Sequence, residues 1–200
     1  MPFVFKRLAL VLSIAAACAA DKETPFKAQP ATSYPSHQTV GQITIGVDPY
    51  THADELKTAF GKLDPNDHGV LPVLVVIQND TDKAIRLSGL KVEYMGPNRE
   101  RVEATPAREI RYLQPPQRPN MIPGPPGTKV KVIKVKKNPL DAWEIEGRAF
   151  AAQMLPPGNA ASGFFYFQTP FQTNSIIYVN GLKEAQSGKE ILFFEIPMQP

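Results

Sequence analysis

Three histidines, one cysteine and a scatter of carboxylates are what this chain offers for acid–base, nucleophilic or metal chemistry. His37, His52 and His68 lie far apart, and no HxxxH or HExxH spacing sets two of them on one helix face. The lone Cys18 excludes a disulfide framework within the chain and any zinc site built on two or four thiolates. No serine sits in a GxSxG elbow, and there is neither a phosphate loop nor a GxGxxG run. An acid–base pair would have to draw on Glu103, Glu109, Glu144 and Glu146. Exposed carboxylates on strand and helix faces are far commoner than catalytic ones. Asn79-Asp80-Thr81 fits a glycosylation sequon, but the triplet is better read as a turn. The chain therefore reads as non-enzymatic, with no cofactor and no metal. The alternative is a hydrolase or metal-dependent enzyme assembled from scattered residues.

Binding chemistry is more concentrated. Residues 114–128 hold six prolines in fifteen positions, the composition of an extended, polyproline-like loop. Lys129, Lys131, Lys134, Lys136 and Lys137 follow, arranged around the Val132-Ile133 doublet so that the alternation slips by one. Read as a bulged strand, this stretch presents lysines on one face. They make either an electrostatic strip for anionic lipid, glycan or an acidic partner, or a solvated edge strand guarded against aggregation. The edge strand is the simpler reading. Asn138-Pro139 suits a helix start, and a helix over 139–146 would set Leu140, Trp143 and Gly147 on one face. Trp143, the only tryptophan, is then most simply a plug packing that helix on a sheet. Stacking on a sugar or peptide is the functional alternative.

The N-terminus carries an address. Lys6-Arg7 supply a positive start, residues 8–14 are apolar, and residues 15–20 are small, the layout of a secretory signal peptide over 1–20. The apolar stretch is short for about 30 Å of hydrocarbon, which argues against a retained anchor helix. Ala15-Ala16-Ala17-Cys18 resembles the bacterial lipobox, although Ala15 stands where that box prefers leucine. The resemblance implies cleavage before Cys18 and lipid attachment to it. Ordinary cleavage after Ala17, Ala19 or Ala20 is the other outcome. Residues 21–39 are polar with three prolines and read as a disordered linker between lipid and domain. Removing Lys6 and Arg7 lowers the formal charge from +3 to +1, too small to imply a nucleic-acid partner.

Two hundred residues, 42% hydrophobic with 21 prolines, suit one folded domain plus a tail and argue against an all-helical bundle. From residue 40 onward the pattern is mostly strands. Residues 42–47 alternate with Ile43, Ile45 and Val47 on one face. A short helix follows over 52–60, with Thr51 as N-cap and Gly61 as stop. Residues 70–77 form a continuous apolar run, expected to be a central strand buried on both faces. Residues 85–94 read as one partner strand with a bulge at Ser88-Gly89. Further short strands are expected at 100–104, 109–113, 163–168, 175–180 and 190–196, while 148–155 either extends the 139–146 helix or forms a strand.

The stretches VLPVLVVIQNDTDKAIRLSGLKVEY, LPPGNAASGFFYFQTP and IIYVNGLKEAQSGKEILFFEIP, within residues 70–95 and 154–197, resemble small bacterial extracellular immunoglobulin-like domains, including uncharacterised lipoprotein families. The resemblance implies an antiparallel immunoglobulin-like β-sandwich over 40–200 with one or two short helices, and it favours a strand over 148–155. Residues 96–153 depart from the pattern as an insertion. It also implies an Asn79-Asp80 turn closing one core strand and a Pro157-Gly158 turn preceding another. It implies no activity, because this architecture hosts many functions. The expectation is an exported periplasmic or outer-membrane lipoprotein, otherwise a secreted protein, that binds or scaffolds an envelope protein or glycan. A small-ligand carrier with an apolar cleft near Trp143 is a further alternative.

Overall fold

The computed structural model describes residues 26–113, 138–191 and 193–199. Eleven strands and three short helices make up these segments. The strands are β1 (Ser36–Val40), β2 (Ile43–Pro49), β3 (Leu71–Asn79), β4 (Ile85–Arg86), β5 (Lys91–Met95) and β6 (Arg101–Glu103), then β7 (Met154–Leu155), β8 (Asn159–Phe167), β9 (Ile176–Asn180), β10 (Lys183–Glu184) and β11 (Phe194–Pro197). The helices are α1 (Ala53–Phe60), α2 (Ala107–Ile110) and α3 (Trp143–Arg148). The chain is mainly β, and every strand pair is antiparallel. One sheet runs β1-β2-β3-β8, a second runs β11-β9-β5-β6, and a small third runs β10-β4-β7.

The two-residue period of a strand divides the apolar side chains of the first sheet between two cores. Ile43, Ile45, Val47, Leu71, Val73, Val75 and Ile77 meet Val92, Tyr94, Ile177, Val179, Phe194 and Ile196 of the second sheet. This is the sandwich core. Leu74, Val76, Phe164 and Tyr166 point the other way, onto Leu56 and Phe60 of α1, Ile110 of α2, and Leu140 and Ile145 beside and within α3. β3 is thus buried on both faces, as its unbroken apolar run demands, with a sheet on one side and helices on the other.

Residues 26–39, expected as part of the linker, belong to the domain. Phe26 packs 5.4 Å from Phe164 and 6.3 Å from Tyr50, ring centre to ring centre. Ala31 is fully buried and Ser36 opens β1. Gly41 and Gln42, both at positive φ, form the two-residue turn that folds β1 onto β2.

Residues 85–94 are not one bulged strand. The parity change at Ser88-Gly89 marks a change of sheet: β4 pairs with β7 and β10, whereas β5 pairs with β6 and β9. The crossing is tight, for a Cβ on Gly181 would lie 2.0 Å from the Gly89 carbonyl oxygen. The strand expected at 109–113 is instead α2, entered from Pro106. Of the strand expected over 148–155 only β7 forms, with an isolated parallel bridge from Ala149 to Phe164. α1 ends at Gly61 (φ 65°) as expected, but its N-cap is His52, without a side-chain bond, not Thr51.

α3 starts at Trp143, later than expected, because Asn138 is used differently. Its Oδ1 accepts the Leu140 N–H at 3.0 Å, closing an Asx turn ahead of the helix instead of capping it. The helix is pinned by Ile145, which is buried, while Trp143 is 72% exposed. The expected plug is therefore not Trp143. The two carbons of its ring nearest Gly147 lie 3.1 and 3.2 Å from where a Cβ on that glycine would stand, so the indole rests along the helix surface.

Candidate functional site

α2 and α3 lie side by side at the point where the chain leaves at Leu113 and returns at Asn138. Arg111 joins them. Its guanidinium reaches Asp141 at 3.3 Å and bonds the Glu146 carboxylate. Its backbone carbonyl accepts a 2.6 Å hydrogen bond from the Asn138 side-chain amide. Both ends of the Pro/Lys-rich stretch are thus tied to one residue. Trp143 and Tyr112 stand beside this clamp, each 72% exposed, and the Arg111 guanidinium lies 5.9 Å from the Tyr112 ring centre. Lys129, Lys131, Lys134, Lys136 and Lys137 lie outside the described residues, as do Cys18 and the signal peptide.

The described histidines and glutamates weighed for catalysis are spread over several elements. His37 Nδ1 lies 2.6 Å from the Tyr34 carbonyl oxygen. His52 faces Glu55 at 3.6 Å on the first turn of α1. His68 ends a short 3₁₀ turn at residues 66–68. Glu103 is register partner to Glu93 on the second sheet, Glu146 bonds Arg111, and Glu109 and Glu144 lie on α2 and α3. Among the described residues no three of His, Cys, Asp and Glu are placed to hold a metal ion.

Asp48 is the carboxyl pushed upward. Burial pushes Asp48, near the end of β2, up to about 6 from 3.8, the neighbouring Glu55 charge adds to the rise, and His52 opposes it. Tyr50 and Tyr166 are raised far above the ordinary phenol value, chiefly by burial, and Arg148 offsets a little of each rise. These groups stand where the helices close over the first sheet. Nothing in the local sequence around Asp48 signals this, because the desolvation comes from packed neighbours.

Two concavities flank the helices. A cleft of about 310 Å³ opens between Leu90, Val92 and Ala104 on one side and Phe150 and Phe165 on the other. The two phenylalanine rings are stacked with centres 5.4 Å apart. A larger groove, about 830 Å³, lies between residues 26–30, residues 147–149 and the first half of β8.

The turns implied by the sandwich resemblance converge on Asn79. Its Nδ2 donates to the carbonyls of Lys83, Leu155 and Pro156 at 2.8 to 3.1 Å. Its Oδ1 accepts from Thr81 N–H and hydroxyl at 3.2 and 2.7 Å. Its carbonyl accepts from Gly158 N–H at 2.8 Å. The side chain is fully buried, which assigns the sequon-like triplet to turn construction.

No family model and no curated protein matches this chain. It is similar to a solved structure described as the X-ray structure of Northeast Structural Genomics Consortium target SoR45, at 13% identity and a TM-score of 0.31. The match covers 78% of this chain and 85% of that one.

Proposed function

We propose that this chain is an exported, non-enzymatic binding module of the bacterial envelope, tethered by lipid on Cys18. Its contact surface comprises Trp143 and Tyr112 at the α2/α3 end, together with the lysines at 129, 131, 134, 136 and 137. The supporting observation is the exposure of Trp143: the only tryptophan lies bare against a glycine at a helix surface. Burying a large aromatic ring is favourable by a few kcal/mol, so a ring left in water on an ordered helix is available to a partner. Flat aromatic faces suit sugar rings and peptide planes, and the lysines suit a partner with negative charge. The partner is accordingly an envelope glycan or protein carrying negative charge.

The test is cosedimentation of the mature protein with purified peptidoglycan, with crosslinking in cells to capture protein partners. Trp143→Ala and replacement of the five lysines by glutamine should each abolish the association. Retention by both variants overturns the assignment. Cys18→Ala should move the protein from the membrane to the soluble fraction, and unchanged partitioning removes the anchor. A small-ligand carrier is the second reading, supported by the aromatic cleft at Phe150 and Phe165. A ligand screen by thermal shift, repeated on Phe150→Ala, separates it from the first.

A further inference from the structure

Among the described strands β8 lies at the edge of its sheet, and its two halves are treated differently. β3 pairs with it along its whole length, from Asn159 to Phe167. On the outer side, the carbonyls of Phe164 and Tyr166 accept hydrogen bonds from Phe150 N–H at 3.1 Å and Thr105 N–H at 2.7 Å. Crossing segments therefore cover the second half. In an antiparallel ladder outward-facing backbone groups recur every second residue. Phe164 and Tyr166 face outward, so Ala160 and Ser162 do as well. Both are exposed, and no described residue hydrogen-bonds to their outward N–H and C=O groups. Natural sheets usually blunt such an edge with proline, charge or a covering segment, and here the residues are Asn, Ala, Ala and Ser.

This open half faces the larger groove. Its floor comprises Val76, Gln78, Ala160 and Ser162, and residues 26–30 and 147–149 form the walls. The charged residues lining it are Lys27 and Arg148, with no carboxylate among the described lining residues. Neither makes an ion pair with a described residue. Arg148 is held in place with its guanidinium 4.9 Å from the Phe26 ring centre, and its Nε is buried without a hydrogen-bond partner.

We propose that the open half of β8 takes an extended acidic peptide as an added strand. Main-chain hydrogen bonds to Ala160 and Ser162 supply the pairing. Lys27 and Arg148 meet carboxylates on alternate residues, which point to one face of the added strand. The small side chains along the edge leave room for a neighbouring backbone. The proposal makes no use of Trp143 or of the lysines at 129–137, so this site stands or falls separately from that surface.

Fluorescence anisotropy with the mature protein and a labelled Val-Glu-Val-Glu-Val-Glu peptide tests it. The acidic peptide should bind, and its valine–lysine counterpart should not. Methylating alternate backbone nitrogens should abolish binding, and this control requires no change in the protein. Ser162→Pro removes one outward N–H at a position where an edge strand tolerates proline, and should weaken binding about fivefold, the value of one hydrogen bond. Lys27→Gln should weaken it about threefold at low salt and not at high salt. Equal binding of acidic and basic peptides, or indifference to N-methylation, overturns the proposal. So does binding that emerges only when residues 18–25 are deleted, which would make the chain's own N-terminal segment the occupant. A dimer that dissociates on Ser162→Pro without any peptide binding would assign the edge to a second copy, and equally overturns it.

Discussion

The side-chain amide of Asn79 donates a buried hydrogen bond to the Leu155 carbonyl at 3.1 Å, joining residues 76 positions apart. The same amide serves Lys83 and Pro156, so one side chain holds the end of β3, the 80–83 turn and the entry to β8 together. Asn79→Ala strips the Leu155 carbonyl of a buried donor and the Lys83 and Pro156 carbonyls of part-buried ones. The expected loss is about 2–4 kcal/mol by urea denaturation. A loss below about 0.5 kcal/mol would show that these turns hold themselves.

Asp48 should make stability fall as pH rises. Its folded-state value is about 6, above the ordinary 3.8. The folded protein therefore binds this proton more tightly than the unfolded chain does. No cost is felt below pH 4, and the full cost is reached above pH 6. Discounted for the carboxyl's partial contact with solvent, the effect is about 1 kcal/mol. Asp48→Asn should flatten that part of the stability profile and raise the neutral-pH midpoint. Thermal melts between pH 4 and 7 measure it, and an unchanged slope rules the effect out.

Trp143 should behave as a surface residue. At 72% exposure its removal leaves no cavity, and Trp143→Ala should cost less than about 0.5 kcal/mol. Its fluorescence should be fully quenchable by acrylamide in the free protein and protected on binding. Shielding in the free protein would contradict the exposed placement.

Gly163 should tolerate no side chain. A Cβ there would stand 2.4 Å from the Phe150 Cα, where the crossing segment lies against β8. Gly163→Ala has to displace backbone and should cost about 2–3 kcal/mol. Gly158→Ala, at positive φ with open space, should cost about 1 kcal/mol through backbone strain alone. Melting temperatures in that order support the close approach, and the reverse order refutes it.

Asn138→Ala should free Leu140 N–H and strip the Arg111 carbonyl of its donor. Amide exchange at Leu140 should accelerate severalfold, with a global loss of about 1–2 kcal/mol. Arg111→Ala should cost less, near 1 kcal/mol, because its ion pairs are half exposed.

Periodicity made β2, α1, β3 and β9 legible in the sequence, because each has one dominant apolar face or run long enough to declare its partner. The Asn79 and Gly158 turns were legible from residue chemistry. What escaped was set by contacts distant in sequence. β1 reads as linker because its residues are polar, and only the hairpin at Gly41-Gln42 and the burial of Ser36 recruit it. The change of sheet between β4 and β5 looks like a bulge when parity alone is followed. α3 contains both Trp143 and Ile145, and local spacing offered no way to choose which one is buried. The Arg111 clamp and the Arg148 placement depend on segments meeting in space.

Phe26, wedged among Tyr50, Phe164 and Arg148, fixes the length of any leash. With lipid on Cys18, eight residues separate bilayer from domain, a reach of at most about 29 Å when fully stretched. That is shorter than the roughly 40 Å width of a domain of this size. Such a protein would swivel where it stands, sampling only what comes within its own body length of the membrane. Partners would have to arrive, or already reside, in that thin layer.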